Sequence, residues 1–497
     1  MSLRLSRRAL MSGLALTGAA AGSAKGASAR AVRAPIRFVT RHRGVFNGEA
    51  LDYTASVEET LTPEGENLPA CRIVATAYVR EPVDPRRPVI FMFNGGPISA
   101  SLYLHIGGFG PKRYDPPTDV RADIAEPYAL VDNTDSVLDV ADIVFFDPPE
   151  TGFSRVVDPS KVGLTYGDEG DSRVATVFVE TWLRAQGREA SPRYLLGESY
   201  GTLRAAMMAG RLSETLPLNG VMLMGQALNM IETSQRPGNI VSYATNLTAL
   251  TAVAAFHGRI ETGGRPVSAL VDEAWTFGMG EYLDALRHGR DLPEDRRQAV
   301  ARRLEGLTGI SADYYLDHRL IISKQDFCAE LLRDQGLILG VYDARYSGPA
   351  PSKGERAKDP FGKVNAMIGP LMRRHFSENL GVTLPLDEYR GGAPRLGPWG
   401  YEPTMRAGGG PFDDFDYDLG IEKAMAARPD FRLLVGTGLY DTTTTVGPAR
   451  YLAAQASYPR ERITLTEYDG GHMAYSNPEA RRAMAADIRA FVAGGRA

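Results

Sequence analysis

The chain is poor in the residues that staple or metallate a protein. Only two cysteines, Cys71 and Cys328, occur among its 497 residues. That count excludes a disulfide-built scaffold. The two could still pair in an oxidising compartment, although two buried free thiols is the plainer reading. The seven histidines are scattered, and no His-x-x-x-His or Cys-x-x-Cys spacing exists from which to build a metal site. No metal and no cofactor is expected. Positive charge is not in surplus either. The formal net charge is −4, so nothing points to nucleic acid as a partner. The apolar stretch near the N-terminus, Leu14 to Ala21, is too short and too rich in Gly and Ala to span a bilayer. What remains is ordinary for a soluble globular protein, with 43% hydrophobic and 23% charged residues.

The N-terminus reads as a targeting segment. Ser6-Arg7-Arg8-Ala9-Leu10-Met11 is a twin-arginine pattern, followed by a short apolar stretch from Leu14 to Ala21. Ala27-Ser28-Ala29 is an A-x-A-like cleavage site. Residues 1–29 are therefore expected to direct export to the periplasm or beyond by the twin-arginine route. No cysteine lies near the cleavage site, so no lipid anchor is expected.

Beyond a mixed polar stretch over 30–70, apolar segments recur in strand-like form. Cys71 to Arg80 alternates as a half-buried strand does. Pro88 to Phe93, Ile143 to Phe146, Tyr194 to Leu196, Gly220 to Met224 and Phe431 to Val435 are short continuous apolar runs, as in strands covered on both faces. Arg462 to Thr466 alternates and suits a strand nearer the edge. Helical periodicity falls between several of these, as from Arg173 to Gln186 and from Ile421 to Ala427. The alternation predicts a mostly parallel, doubly wound α/β sheet. The rhythm is lost between about Leu228 and Arg395. Helices are expected there over 240–257, 267–288, 294–307, 312–334 and 364–379, interrupted by a loop at 347–360. The expected organisation is core over 30–227, an inserted helical cap over 228–395, and core again over 396–497. The strands resume only near Phe431, which favours an insertion over a separate helical module.

Gly197-Glu198-Ser199-Tyr200-Gly201 follows one of these strands and opens a helix. A strand, a sharp turn carrying serine and a helix make the nucleophile elbow of an α/β-hydrolase. In that fold the acid and then the histidine follow the serine along the chain. Asp441 comes just past the 433–435 strand, and His472 just past the 462–466 strand. Ser199 would attack, His472 would take and return its proton, and Asp441 would hold the imidazole in the right tautomer. Asp469 and Asp147 compete for the acid's role, but Asp469 is too close to His472 in sequence and Asp147 precedes the serine. The other six histidines lack a strand-end setting. Asn94-Gly95-Gly96-Pro97 follows the first core strand, and the N–H groups of Gly96 and Tyr200 are the expected oxyanion donors.

These blocks, with Asp147-Pro148-Pro149-Glu150-Thr151-Gly152-Phe153-Ser154, Gly438-Leu439-Tyr440-Asp441 and Gly471-His472-Met473, resemble the serine carboxypeptidases, particularly their bacterial members. They occur in the family's order and span nearly the whole mature chain. The resemblance implies hydrolysis of the C-terminal peptide bond of a peptide with a free C-terminus. It also implies that Asn94 and Glu198 hold the substrate carboxylate, and that the enzyme works best in acid, because carboxyl groups can hydrogen-bond only by sharing a proton. The chain departs from the pattern at two places. Gly108 stands where the family carries a partner glutamate, and Ile98 where it carries glycine. An esterase or acyltransferase on the same triad is the alternative reading. A non-catalytic binding protein that keeps the fold is a third.

Overall fold

The structure, a computed structural model, describes residues 34–228, 235–236, 238–401 and 416–494. The twin-arginine segment and its cleavage site lie outside the described residues. One sheet dominates. Its strands are β1 (Arg37–Phe46), β2 (Glu49–Thr62), β3 (Cys71–Arg80), β4 (Val89–Phe93), β5 (Asp142–Phe146), β6 (Arg193–Glu198), β7 (Gly220–Met224), β8 (Arg432–Gly438) and β9 (Ile463–Tyr468). They run in the order β1-β2-β3-β5-β4-β6-β7-β8-β9, and a two-residue strand, Arg155–Val156, adds to β3. The pairs from β1 to β5 are antiparallel, and those from β5 to β9 are parallel. This is the α/β-hydrolase arrangement, with helices on both faces.

Alternation along the strands builds two cores. Val89, Phe91, Phe93, Leu195, Val221 and Leu223 face one side, and Ile90, Met92, Tyr194, Leu196 and Met222 face the other. Burial on both faces explains why these strands read as continuous apolar runs. The register then fixes the functional edge. Phe93 pairs with Gly197, Glu198 with Met224, Met224 with Gly436, and Gly438 with Tyr468. The residues that follow β4, β6, β8 and β9 therefore emerge along one edge of the sheet, at the carboxyl ends where open α/β sheets bind ligands.

The long β1–β2 hairpin corrects the expectation of a mixed polar stretch over 30–70. As the edge strand, β1 leaves Arg37, Val39, Arg41 and Arg43 exposed, so it carries no strong apolar signal. The turn does carry one. Asn47 and Gly48 both take positive φ, 48° and 82°, as a two-residue Asn-Gly hairpin loop requires.

Helices Ile240–Phe256, Val267–Phe277, Leu283–His288 and Glu294–Thr308 share a third apolar core, which Tyr440 and Val446 join from the segment after β8. The helix expected over 312–334 is instead two, Ala312–Asp317 and Lys324–Glu330. Arg319 and Leu320 between them take positive φ. The break lets Leu320 bury its side chain in this core and its carbonyl accept from the Tyr282 hydroxyl. Helix Gly362–Arg374 packs Val364, Ile368 and Leu371 into the core of the sheet rather than that of the helices. Cys71 and Cys328 are both free and buried. Burial pushes their thiols up to about 12 and about 11, which makes them inert.

Candidate active site

Ser199 sits between β6 and helix α1 (Tyr200–Thr215), with φ 58° and ψ −129°. A non-glycine residue at positive φ is strained, and only a well-packed surrounding holds it there. The flanking glycines allow that packing. A Cβ on Gly197 would lie 2.2 Å from the Gly201 carbonyl oxygen, and one on Gly201 would lie 3.0 Å from that of Phe93. The Ser199 N–H donates to the Met224 carbonyl at 2.9 Å, tying the turn to the neighbouring strand.

Asp441 and His472 meet directly, with Nδ1 2.8 Å from Oδ2. Asp441 is fully buried. Its Oδ1 accepts from the N–H groups of Thr443 and Thr444 at 2.6 and 3.0 Å. The Thr444 hydroxyl donates to Oδ2 at 2.7 Å and lies 3.1 Å from His472 Nδ1. Burial alone would lower the imidazole pKa. The charge and hydrogen bond of Asp441, helped by Glu198, outweigh it and hold the pKa above its ordinary value. No hydrogen bond joins Ser199 to His472 among the described residues. The two are linked through the turn at Met224-Gly225, since a Cβ on Gly225 would lie 3.3 Å from the imidazole. Such contacts commonly tighten only when substrate binds.

Glu198 is buried beside Ser199, and two donors converge on its Oε2: Asn94 Nδ2 at 2.6 Å and the Tyr475 hydroxyl at 2.8 Å. Burial is the largest influence on this carboxyl and pushes its pKa from 4.5 to about 7. That has a stability consequence. The folded-state pKa exceeds the unfolded one, so the favourable contribution is complete below pH 4.5 and is lost as pH rises through 7. Glu198→Gln should therefore melt above the parent protein at pH 8, with a gain of roughly 3 kcal/mol. At pH 4 the two should melt together. Equal melting at both pH values would overturn the assignment.

The turn after β4 lies against the elbow. A Cβ on Gly95 would come within 2.5 Å of the Tyr200 nitrogen. The N–H groups of Gly96 and Tyr200 donate to no group among the described residues, and Tyr200 opens a helix, where such groups are free. The turn is anchored from below by Arg204, which is fully buried on α1. Its guanidinium donates to the carbonyls of Asn94 and Pro97 at 2.8 and 3.3 Å, and to both oxygens of Asp171 at 2.7 and 3.1 Å.

A segment of the helical region closes over the other two loops. The Tyr342 carbonyl accepts from His472 N at 2.5 Å, and its ring lies 5.5 Å from the imidazole. The Val341 carbonyl accepts from the Thr442 hydroxyl, and Ala344 N donates to the Tyr440 carbonyl. The competing acids lie elsewhere. Asp469 is about half exposed, near Arg345 and Asn477. Asp147 is buried and accepts from Ser101 N at 2.8 Å. Of the other histidines, His105 and His375 share the Tyr78 hydroxyl in the core, and His257 reaches the Ala344 carbonyl.

Sequence reasoning missed Tyr475, Thr444, Arg204 and Asp171. A pair of glycines, Gly107-Gly108, was the one trace of Tyr475. A Cβ on Gly107 would lie 2.8 Å from its ring.

Residues 78–227 match the family model described as serine carboxypeptidase. Solved structures with a similar backbone include a prohormone-processing carboxypeptidase of Saccharomyces cerevisiae, 13% identical, with 86% of this chain and 92% of that one covered and a TM-score of 0.45. A proline iminopeptidase of Mycobacterium smegmatis is 13% identical, with 87% and 97% covered and a TM-score of 0.36. A thermostable carboxyl esterase of Bacillus coagulans is 12% identical, with 88% and 97% covered and a TM-score of 0.36. No curated protein sequence matches this chain.

Proposed function

We propose, taking as premise the match of residues 78–227 to the serine carboxypeptidase family model, that this chain is a serine-type carboxypeptidase. One observation carries the reading: the residue before the candidate nucleophile is a buried carboxyl held by Asn94 at 2.6 Å. A neutral Glu198 and the Asn94 amide suit the terminal carboxylate of a peptide, which places the last peptide bond at Ser199. Ser199 Oγ attacks that carbonyl as His472 Nε2 takes its proton. The N–H groups of Gly96 and Tyr200 receive the oxyanion. Collapse expels the C-terminal amino acid, whose amine takes the proton back from His472. Water, activated by the same imidazole, then hydrolyses the acyl-enzyme. The twin-arginine pattern at Arg7-Arg8 supports action outside the cytoplasm.

The pH dependence follows from the two shifted groups. Below about 7 Glu198 is protonated and donates to the substrate carboxylate. Above it the ionised carboxyl repels that carboxylate, and KM for a free-acid peptide should rise about tenfold per pH unit. On the acid side, protonation of His472 removes the base, and its raised pKa brings that limb closer to neutrality. The test compares blocked dipeptides with free and amidated C-termini across this range. Preference for the free acid that fades above pH 7 is expected. Equal cleavage of both at every pH would sink carboxylate-directed action.

The second reading is an esterase or acyltransferase. It draws on position 108, where glycine replaces the partner carboxyl and the ring of Tyr475 lies 3.5 Å from the place a Cβ would take. Turnover of a p-nitrophenyl ester without any peptide cleavage would favour it.

A further inference from the structure

Tyr475 lies three residues past His472, at the start of the turn that leads to the last helix, Pro478–Val492. It is 1% exposed. Its ring covers the two glycines of the 104–109 segment and fills the space beside Gly108. Its hydroxyl shares Glu198 Oε2 with the Asn94 amide. The orientation of that amide is set independently, because Asn94 Oδ1 accepts from Leu104 N at 3.0 Å and turns Nδ2 to Glu198. The other oxygen, Oε1, accepts no hydrogen bond among the described residues. With two donors fixed on Oε2, a protonated carboxyl carries its hydrogen on Oε1. The charged and titratable groups around Glu198 are His472 and Asp441, with Tyr103, Tyr114, Tyr342 and Tyr475.

We propose that Tyr475 is a positioning residue for substrate recognition: by holding Glu198 Oε2 it turns Oε1 and its proton toward the peptide's terminal carboxylate, so that one carboxyl without a carboxyl partner does the recognising. The proposal rests on the carboxypeptidase reading for its substrate, though not for the contact itself. A tyrosine cannot share a proton as a second carboxyl would. The single carboxyl therefore ionises on its own, and recognition of a free C-terminus reaches only to about neutral pH.

The test is Tyr475→Phe in the mature chain, which keeps the ring and removes the donor. KM for a blocked free-acid dipeptide at pH 5.5 should rise about tenfold, well beyond any change for a p-nitrophenyl ester that has no carboxylate. The pH at which that KM climbs should move upward, because the charged form of Glu198 has lost a donor. Infrared titration of the Glu198 carboxyl, identified by difference from Glu198→Gln, should show the same upward shift of about one pH unit. Equal losses on peptide and ester, or an unmoved Glu198 titration, would overturn the role of Tyr475. If the parent enzyme cleaves no free-acid peptide, the proposed function fails, and the infrared titration still judges Tyr475.

Discussion

Replacing Ser199 with alanine is expected to lower kcat by about six orders of magnitude while leaving the fold intact. The serine is the proposed nucleophile, and its backbone is already held at φ 58° by strand register and flanking glycines. Alanine keeps those contacts. Labelling by a fluorophosphonate probe should vanish. Asp441→Asn is expected to cost about four orders of magnitude. Asp441 Oδ1 accepts two backbone N–H bonds, so an asparagine must place its carbonyl there and its NH2 against His472 Nδ1. That forces the wrong imidazole tautomer. Probe labelling that survives in Ser199→Ala would remove Ser199 as nucleophile. No labelling of the parent protein would instead favour a binding protein that keeps the fold.

The sequence was most legible where burial is complete. Strands β4 to β8 are apolar without interruption because both faces are covered, and their spacing with helices sets the sheet. The candidate site was legible for a related reason. Ser199, Asp441 and His472 each follow a strand end, and the glycines around them mark places where backbones nearly touch. Residues that meet across the fold left little trace, the Gly107-Gly108 pair beside the Tyr475 ring being the exception. Tyr475 reaches Glu198 over 277 positions, and Arg204 reaches Asn94 over 110. Neither contact has a period or a spacing. Thr444 is close to Asp441 in the chain, yet its hydroxyl matters only because the turn folds it back onto the carboxylate. The hairpin of β1 and β2 was hidden by its exposure, although Asn47-Gly48 named its turn. The break at Arg319-Leu320 was hidden because a helical pattern cannot show where tertiary packing pulls the chain out.

The buried pair of Arg204 and Asp171 should give the second large effect, and it separates stability from positioning. Both side chains are sealed from solvent. Arg204→Met would leave the Asp171 carboxylate uncompensated, with the Tyr200 hydroxyl its remaining side-chain donor at 3.2 Å. Removing one member of such a pair costs about 3–5 kcal/mol, which should appear as a large fall in the urea midpoint. Replacing both members with apolar residues of similar volume, Arg204→Met with Asp171→Leu, should recover most of that loss. Activity should not recover with it. The carbonyls of Asn94 and Pro97 are held by the same guanidinium, and neither methionine nor leucine can donate to them. The turn proposed to receive the oxyanion then loses its anchor, so kcat should stay depressed by about a hundredfold, the cost of losing one oxyanion donor, while the urea midpoint returns. A double variant that regains stability and full kcat together would show that Arg204 serves the fold alone.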